Sequence, residues 1–85
     1  MDTEGRSFSA LVKEMRRQLA LSQEDLARQL GVSYATVNRW ENGQSVPSKL
    51  AKAQLKAFCE KMIDRGKLTL SANMTDFADL GPDQD

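Results

Sequence analysis

Histidine is missing from this 85-residue chain, and cysteine occurs once, at Cys59. Without histidine the commonest general base and a frequent metal ligand are lost. No cysteine pair, serine-histidine arrangement or phosphate-cradling glycine-rich loop takes their place, so neither enzymatic activity, a metal site nor a cofactor is expected. A single thiol permits no internal disulfide, which fits a reducing compartment. No apolar run approaches the roughly 20 residues that cross a bilayer, and the acidic start has no basic leader, so the expectation is a cytoplasmic protein without membrane contact. Net charge is lacking too, since twelve basic side chains balance twelve acidic ones. That balance is uneven along the chain. Residues 6 to 67 hold all twelve Lys and Arg against six acids, an excess of +6, while Asp2, Glu4, Asp76, Asp79, Asp83 and Asp85 sit at the ends. A basic body between acidic ends is suited to phosphate attraction.

Eighty-five residues make one small domain. Residues 1 to 6 are unpatterned and are expected to be a disordered lead-in. From Ser7, the residues Phe8, Leu11, Val12, Met15 and Leu19 recur at helical spacing and predict an amphipathic first helix. Ser22, followed three residues later by Asp25, is a capping-box pattern that starts a second helix at Gln23. Leu26 and Leu30 form its apolar stripe, Ala27 lets another helix cross closely, and Gly31 is placed to end it. Ser33 caps a third helix whose inward side is Val37 and Trp40 and whose outer arc is Ala35, Thr36, Asn38 and Arg39. Two short helices joined by a tight turn make a helix-turn-helix. After the loop Gln44–Ser48, a long fourth helix is predicted from about Lys49 to Arg65, stopping at Gly66. Its main stripe is Ala51, Leu55, Phe58 and Met62, with Cys59 and Ile63 alongside; Leu50, Ala53 and Ala57 form a second. Lys67–Leu70 alternates like a short strand, and Met74, Phe77 and Leu80 have the spacing of one helical turn. The remainder reads as a flexible acidic tail, so that residues 7 to 66 are the domain and 67 to 85 its appendage.

The stretch Leu21 to Gly43 resembles the phage-repressor or Xre type of helix-turn-helix, the Cro-like family of DNA-binding regulators. The likeness lies in Leu21-Ser22-Gln23, Leu26-Ala27, Leu30-Gly31-Val32-Ser33, Val37 and Trp40-Glu41-Asn42-Gly43 followed by Pro47, and it covers roughly residues 7 to 60. It implies an all-α, compact four- to five-helix, lambda-repressor-like domain that binds double-stranded DNA, a transcriptional regulator of repressor or antitoxin type. The fourth helix departs from the family in its length.

A recognition helix offers its N-terminal residues to the major groove, and Ser33, Tyr34, Ala35, Thr36, Asn38 and Arg39 hold the corresponding positions. Arg39 is the best base reader, because a guanidinium can donate two parallel hydrogen bonds to guanine, with a phosphate contact as its alternative. Thr36 and Ala35 can meet a thymine methyl. Tyr34 can reach the sugar-phosphate wall or a base edge, and Asn38 can hold an adenine or remain solvated. Gln23 opens the second helix, where exposed amides favour phosphate; the resemblance makes it a phosphate clamp that also touches the recognition helix. The resemblance further implies phosphate contacts from Asn42, Gly43 and Gln44, and an arginine, here Arg16, that pairs with Glu41 and leans on a phosphate. Trp40, three residues from Val37, belongs to the core rather than to base stacking. A homodimer built mainly through the fourth helix and the residues just after it is expected, because one recognition helix reads few base pairs; the alternative is a monomer whose tail folds back on its own body. The competing function is a protein-interaction module with the acidic tail or the fourth helix as partner site; a toxin or effector partner is left open. The polar, basic outer arc of the third helix favours DNA.

Overall fold

The computed structural model describes residues 4–70, and within them the chain forms four helices and no strand: α1 Glu4–Leu19, α2 Gln23–Leu30, α3 Tyr34–Glu41 and α4 Lys49–Asp64. Three serines start three of them. Ser22 accepts the N–H of Asp25 while the Asp25 carboxylate accepts the Ser22 N–H, and Ser33 and Ser48 accept from Thr36 and Ala51. Each cap satisfies one of the donors that a helix start leaves without a partner. α1 begins upstream of Ser7, inside the expected lead-in, since extending a nucleated helix adds a hydrogen bond for each residue fixed.

All four helices end alike. The residue after the last turn takes a left-handed conformation, and the N–H beyond it reaches back five residues, as in Leu21 to Arg16 (3.0 Å), Val32 to Ala27 (3.0 Å), Gln44 to Arg39 (2.9 Å) and Lys67 to Met62 (2.9 Å). Three of these turns use glycine. The fourth uses Ala20, at φ 55°, where the Cβ crowds the following carbonyl.

Helices of eight residues are marginal alone, so α2 and α3 are held by the core. Phe8, Leu11, Val12 and Met15 from α1 pack with Leu26, Ala27 and Leu30 of α2, Val37 and Trp40 of α3, and Ala51, Leu55, Phe58 and Cys59 of α4. Phe8 meets Trp40 edge to face, with ring centroids 5.4 Å apart. Cys59 lies 3.7 Å from the Met15 sulfur, and burial, aided by Glu60, pushes its thiol up to about 12, so it is a packing residue and not a nucleophile. No described helix is long and apolar enough to cross a membrane.

Two expectations for the end of the domain need correcting. Ile63 is exposed, lying off the side of α4 that buries Ala51, Leu55, Phe58 and Cys59. Residues 67–70 are not a strand. Leu68 is buried in this subunit's own core, and Gln18 of α1 brackets Thr69, accepting its N–H (2.8 Å) and donating to its carbonyl (2.9 Å). A side-chain amide thus supplies both hydrogen bonds that a neighbouring strand would offer. The possible helical turn at Met74, Phe77 and Leu80, and the acidic tail itself, lie outside the described residues.

Ala20→Gly removes the cost of a left-handed alanine, about 1–2 kcal/mol, against a smaller gain in unfolded-chain entropy. The expected result is stabilisation by about 0.5–1 kcal/mol, read from urea unfolding. A loss of stability would show that Ala20 is unstrained.

Candidate nucleic-acid interface

The interface is assembled where α1, α2 and α3 meet. The α3 start is exposed: Ser33, Tyr34, Ala35 and Arg39 face outward, Tyr34 with 52% of its surface accessible, while Val37 and Trp40 on the opposite side are buried. Ser33 caps the helix and lies 2.8 Å, oxygen to oxygen, from Thr36, whose hydroxyl also receives Arg39 at 3.5 Å. The polar arc is therefore partly ordered before any ligand arrives. Beside it, Arg16, Ser22, Gln23, Glu24 and Tyr34 line an open concavity at the N-terminus of α2. Helix N–H groups and a guanidinium converge there, a combination that favours an anion, with Glu24 opposing it from the rim.

Beneath this surface lies one buried carboxylate. Glu41, at the last position of α3, is 5% exposed and accepts Arg16 Nε at 2.5 Å and Nη2 at 2.9 Å in a two-pronged pair. Gln23 Nε2 adds a third hydrogen bond at 2.9 Å, and the Glu41 main-chain carbonyl accepts the Ser9 hydroxyl at 2.5 Å. Burial alone would push the carboxyl up; the hydrogen bonds from Arg16 and Gln23, and the charges of Arg16 and Lys13, outweigh it and hold Glu41 below the usual carboxylate range. Its partner shifts the other way, the Glu41 hydrogen bond raising Arg16. Arg16 also donates to the Leu21 carbonyl at 3.2 Å, so three of its five N–H groups are engaged and two remain for a phosphate.

The carboxamides are bound as well. Gln23 Oε1 accepts from Asn38 Nδ2 (3.3 Å), and Asn38 Oδ1 accepts from Asn42 Nδ2 (3.0 Å). Asn38 is thus held by one hydrogen bond at each end of its amide and keeps a second N–H and a second lone pair. The main-chain N–H groups of Asn42, Gly43 and Gln44 turn back to the carbonyls of Asn38, Trp40 and Arg39. Outward contacts from this turn fall to the exposed side chains of Asn42 and Gln44, with Gly43 supplying the left-handed turn. Sequence reasoning missed Ser9, while the contact of Gln23 with the third helix, which the resemblance implied, is made to Asn38 and Glu41. A serine on the first helix gives no signal of its own, and helical periodicity states a direction without naming what lies there.

The helix-turn-helix family matches over residues 12–58. The Type II methyltransferase M1.ScrFI of Lactococcus lactis subsp. cremoris is 35% identical over 81 residues, covering 91% of this chain and 21% of that protein. The chain thus spans about a fifth of its relative's length. No solved structure matches.

The depressed carboxyl makes the contribution of Glu41 pH-dependent. Because its folded pKa lies below the unfolded value, near 4.3, the stabilisation is complete above that value and disappears as pH falls through the folded one. Glu41→Gln is expected to cost about 2–3 kcal/mol at pH 7, and the two proteins should converge in stability as pH falls through the depressed folded pKa, in parallel urea titrations. A gap that stays constant with pH would show that the charge is not what matters.

Proposed function

The chain belongs to the helix-turn-helix family of DNA-binding regulators, and we propose that it binds double-stranded DNA sequence-specifically, laying α3 in the major groove as a repressor or antitoxin-type autoregulator. The observation that carries this reading is the exposed polar arc of α3 lying beside the concavity where Arg16 and the N-terminus of α2 converge. Ser33, Tyr34, Ala35, Thr36 and Arg39 face base edges, Arg39 donating to a guanine. Gln23, which keeps a second amide hydrogen, holds a phosphate with Arg16, Asn42 and Gln44 on either side. The residue 6–67 charge excess of +6 supplies the attraction.

A homodimer on a two-fold site accompanies this reading. Leu68 and Thr69 are committed to their own subunit, so pairing falls to the exposed stripe of Leu50, Ala53 and Ala57 on α4, where Leu50 keeps 71% of its surface accessible. Small residues there allow helices a close approach. The same stripe supports the second reading, a protein-interaction surface.

Neutralising about four to six phosphates per subunit predicts a log-log salt slope of roughly −4 to −5 for each subunit bound, and a flat salt dependence would exclude this mode. Arg39→Ala should cost about 1–3 kcal/mol on the selected site and little on a scrambled one, whereas Gln23→Ala should weaken both alike. Equal loss on both duplexes for Arg39→Ala would make Arg39 a phosphate contact. For the pairing, sedimentation of the complex should give two chains per duplex, with Leu50→Glu reducing it to one; one wild-type chain per duplex, or a selected site without a repeated half, would refute the dimer.

A further inference from the structure

Gln23, Asn38 and Asn42 form a line of three carboxamides that is anchored at one end. Glu41, as a carboxylate, can only accept hydrogen bonds. Gln23 must therefore turn its nitrogen toward Glu41 (2.9 Å), which leaves its oxygen facing Asn38. Asn38 answers with its own nitrogen (3.3 Å) and turns its oxygen to Asn42, which again supplies nitrogen (3.0 Å). Every amide runs in the same sense, donor end toward Glu41 and acceptor end away. Arg16 holds both oxygens of Glu41, so the anchor can neither rotate nor readily take up a proton.

We propose that Glu41 is a positioning residue which, through this relay, sets the polarity of the carboxamides at the interface. What a base edge or phosphate then meets is fixed: the terminal acceptor Asn42 Oδ1 and the second N–H of each amide. Base discrimination depends on donors meeting acceptors in one sense only, so an interface whose amides can reverse reads less well. A neutral amide at position 41 can donate as well as accept, which frees the three others to flip together. The ligand in this proposal rests on the DNA-binding reading. The relay does not, because it is complete in the free protein.

Asn38→Asp provides the test, because it sets an acceptor against the oxygen of Gln23 and leaves Gln23 between two acceptors. In the free protein Asn38→Asp should lower the melting temperature several degrees more than Asn38→Ala, and adding Glu41→Gln should abolish that excess. If Asn38→Asp alone does not fold, recovery of a folding transition in the double variant reports the same rescue. Through-space repulsion between positions 38 and 41 would give this result too, so the cycle is repeated with Gln23→Ala. Relay coupling vanishes when its middle is removed. Coupling that survives Gln23→Ala overturns the proposal, as does Asn38→Asp no worse than Asn38→Ala. On DNA, Glu41→Gln should reduce the ratio of selected-site to scrambled affinity about tenfold. Partial unfolding weakens both duplexes equally, so an unchanged ratio would break the link to recognition. Coupling in a protein that binds no duplex would refute the functional reading while leaving the relay standing.

Discussion

The structure depends on the pairing of Arg16 with Glu41. Both oxygens of a carboxylate that is 5% exposed are held by one guanidinium, and these two residues join the last turn of α1 to the last turn of α3. A buried charge is costly unless its hydrogen bonds are complete, and here Gln23 completes them from α2. Three helices are thereby fixed by one anion. Removing Arg16 would leave the Glu41 charge buried without its counter-ion. The core under it is apolar, and the ion pair adds a directional contact between α1, α2 and α3.

Short helices make that constraint necessary. α2 and α3 have eight residues each, too few to persist by backbone hydrogen bonding alone. Their serine caps and left-handed ends stop them cleanly but do not orient them. Trp40 orients α3 from below, edge to face with Phe8, while Glu41, the next residue, orients it from the side. Adjacent residues on one helix thus supply an apolar and an ionic reference. Together they hold the outer arc still, and its order costs the protein little when a ligand binds.

The end of the domain follows a different logic. α4 is longer than closing a four-helix core requires, and the chain then returns to lay Leu68 into that core under the Gln18 clip. The return holds Thr69 against the side of α1. It also uses up a backbone edge that would otherwise be open to pairing with another chain.

Much of this was legible in the residues alone. Ser22 and Ser33 marked helix starts, Gly31 and Gly66 marked ends, and apolar spacing separated Val37 and Trp40 from the outer arc, because caps, turns and periodicity are properties of neighbours in sequence. The four-helix class and the helix-turn-helix followed from them. Ala20 was not legible, since alanine carries no preference for the left-handed turn it adopts and is placed there by the helices on either side. Periodicity set Asn38 on the outer arc without revealing that its amide is held between Gln23 and Asn42. The alternation of Lys67–Leu70 was real, but its meaning was the burial of Leu68 rather than a strand, and only the position of Gln18, 51 residues away in the chain, decides that. Partners distant in sequence are chosen by packing, and no local pattern encodes them.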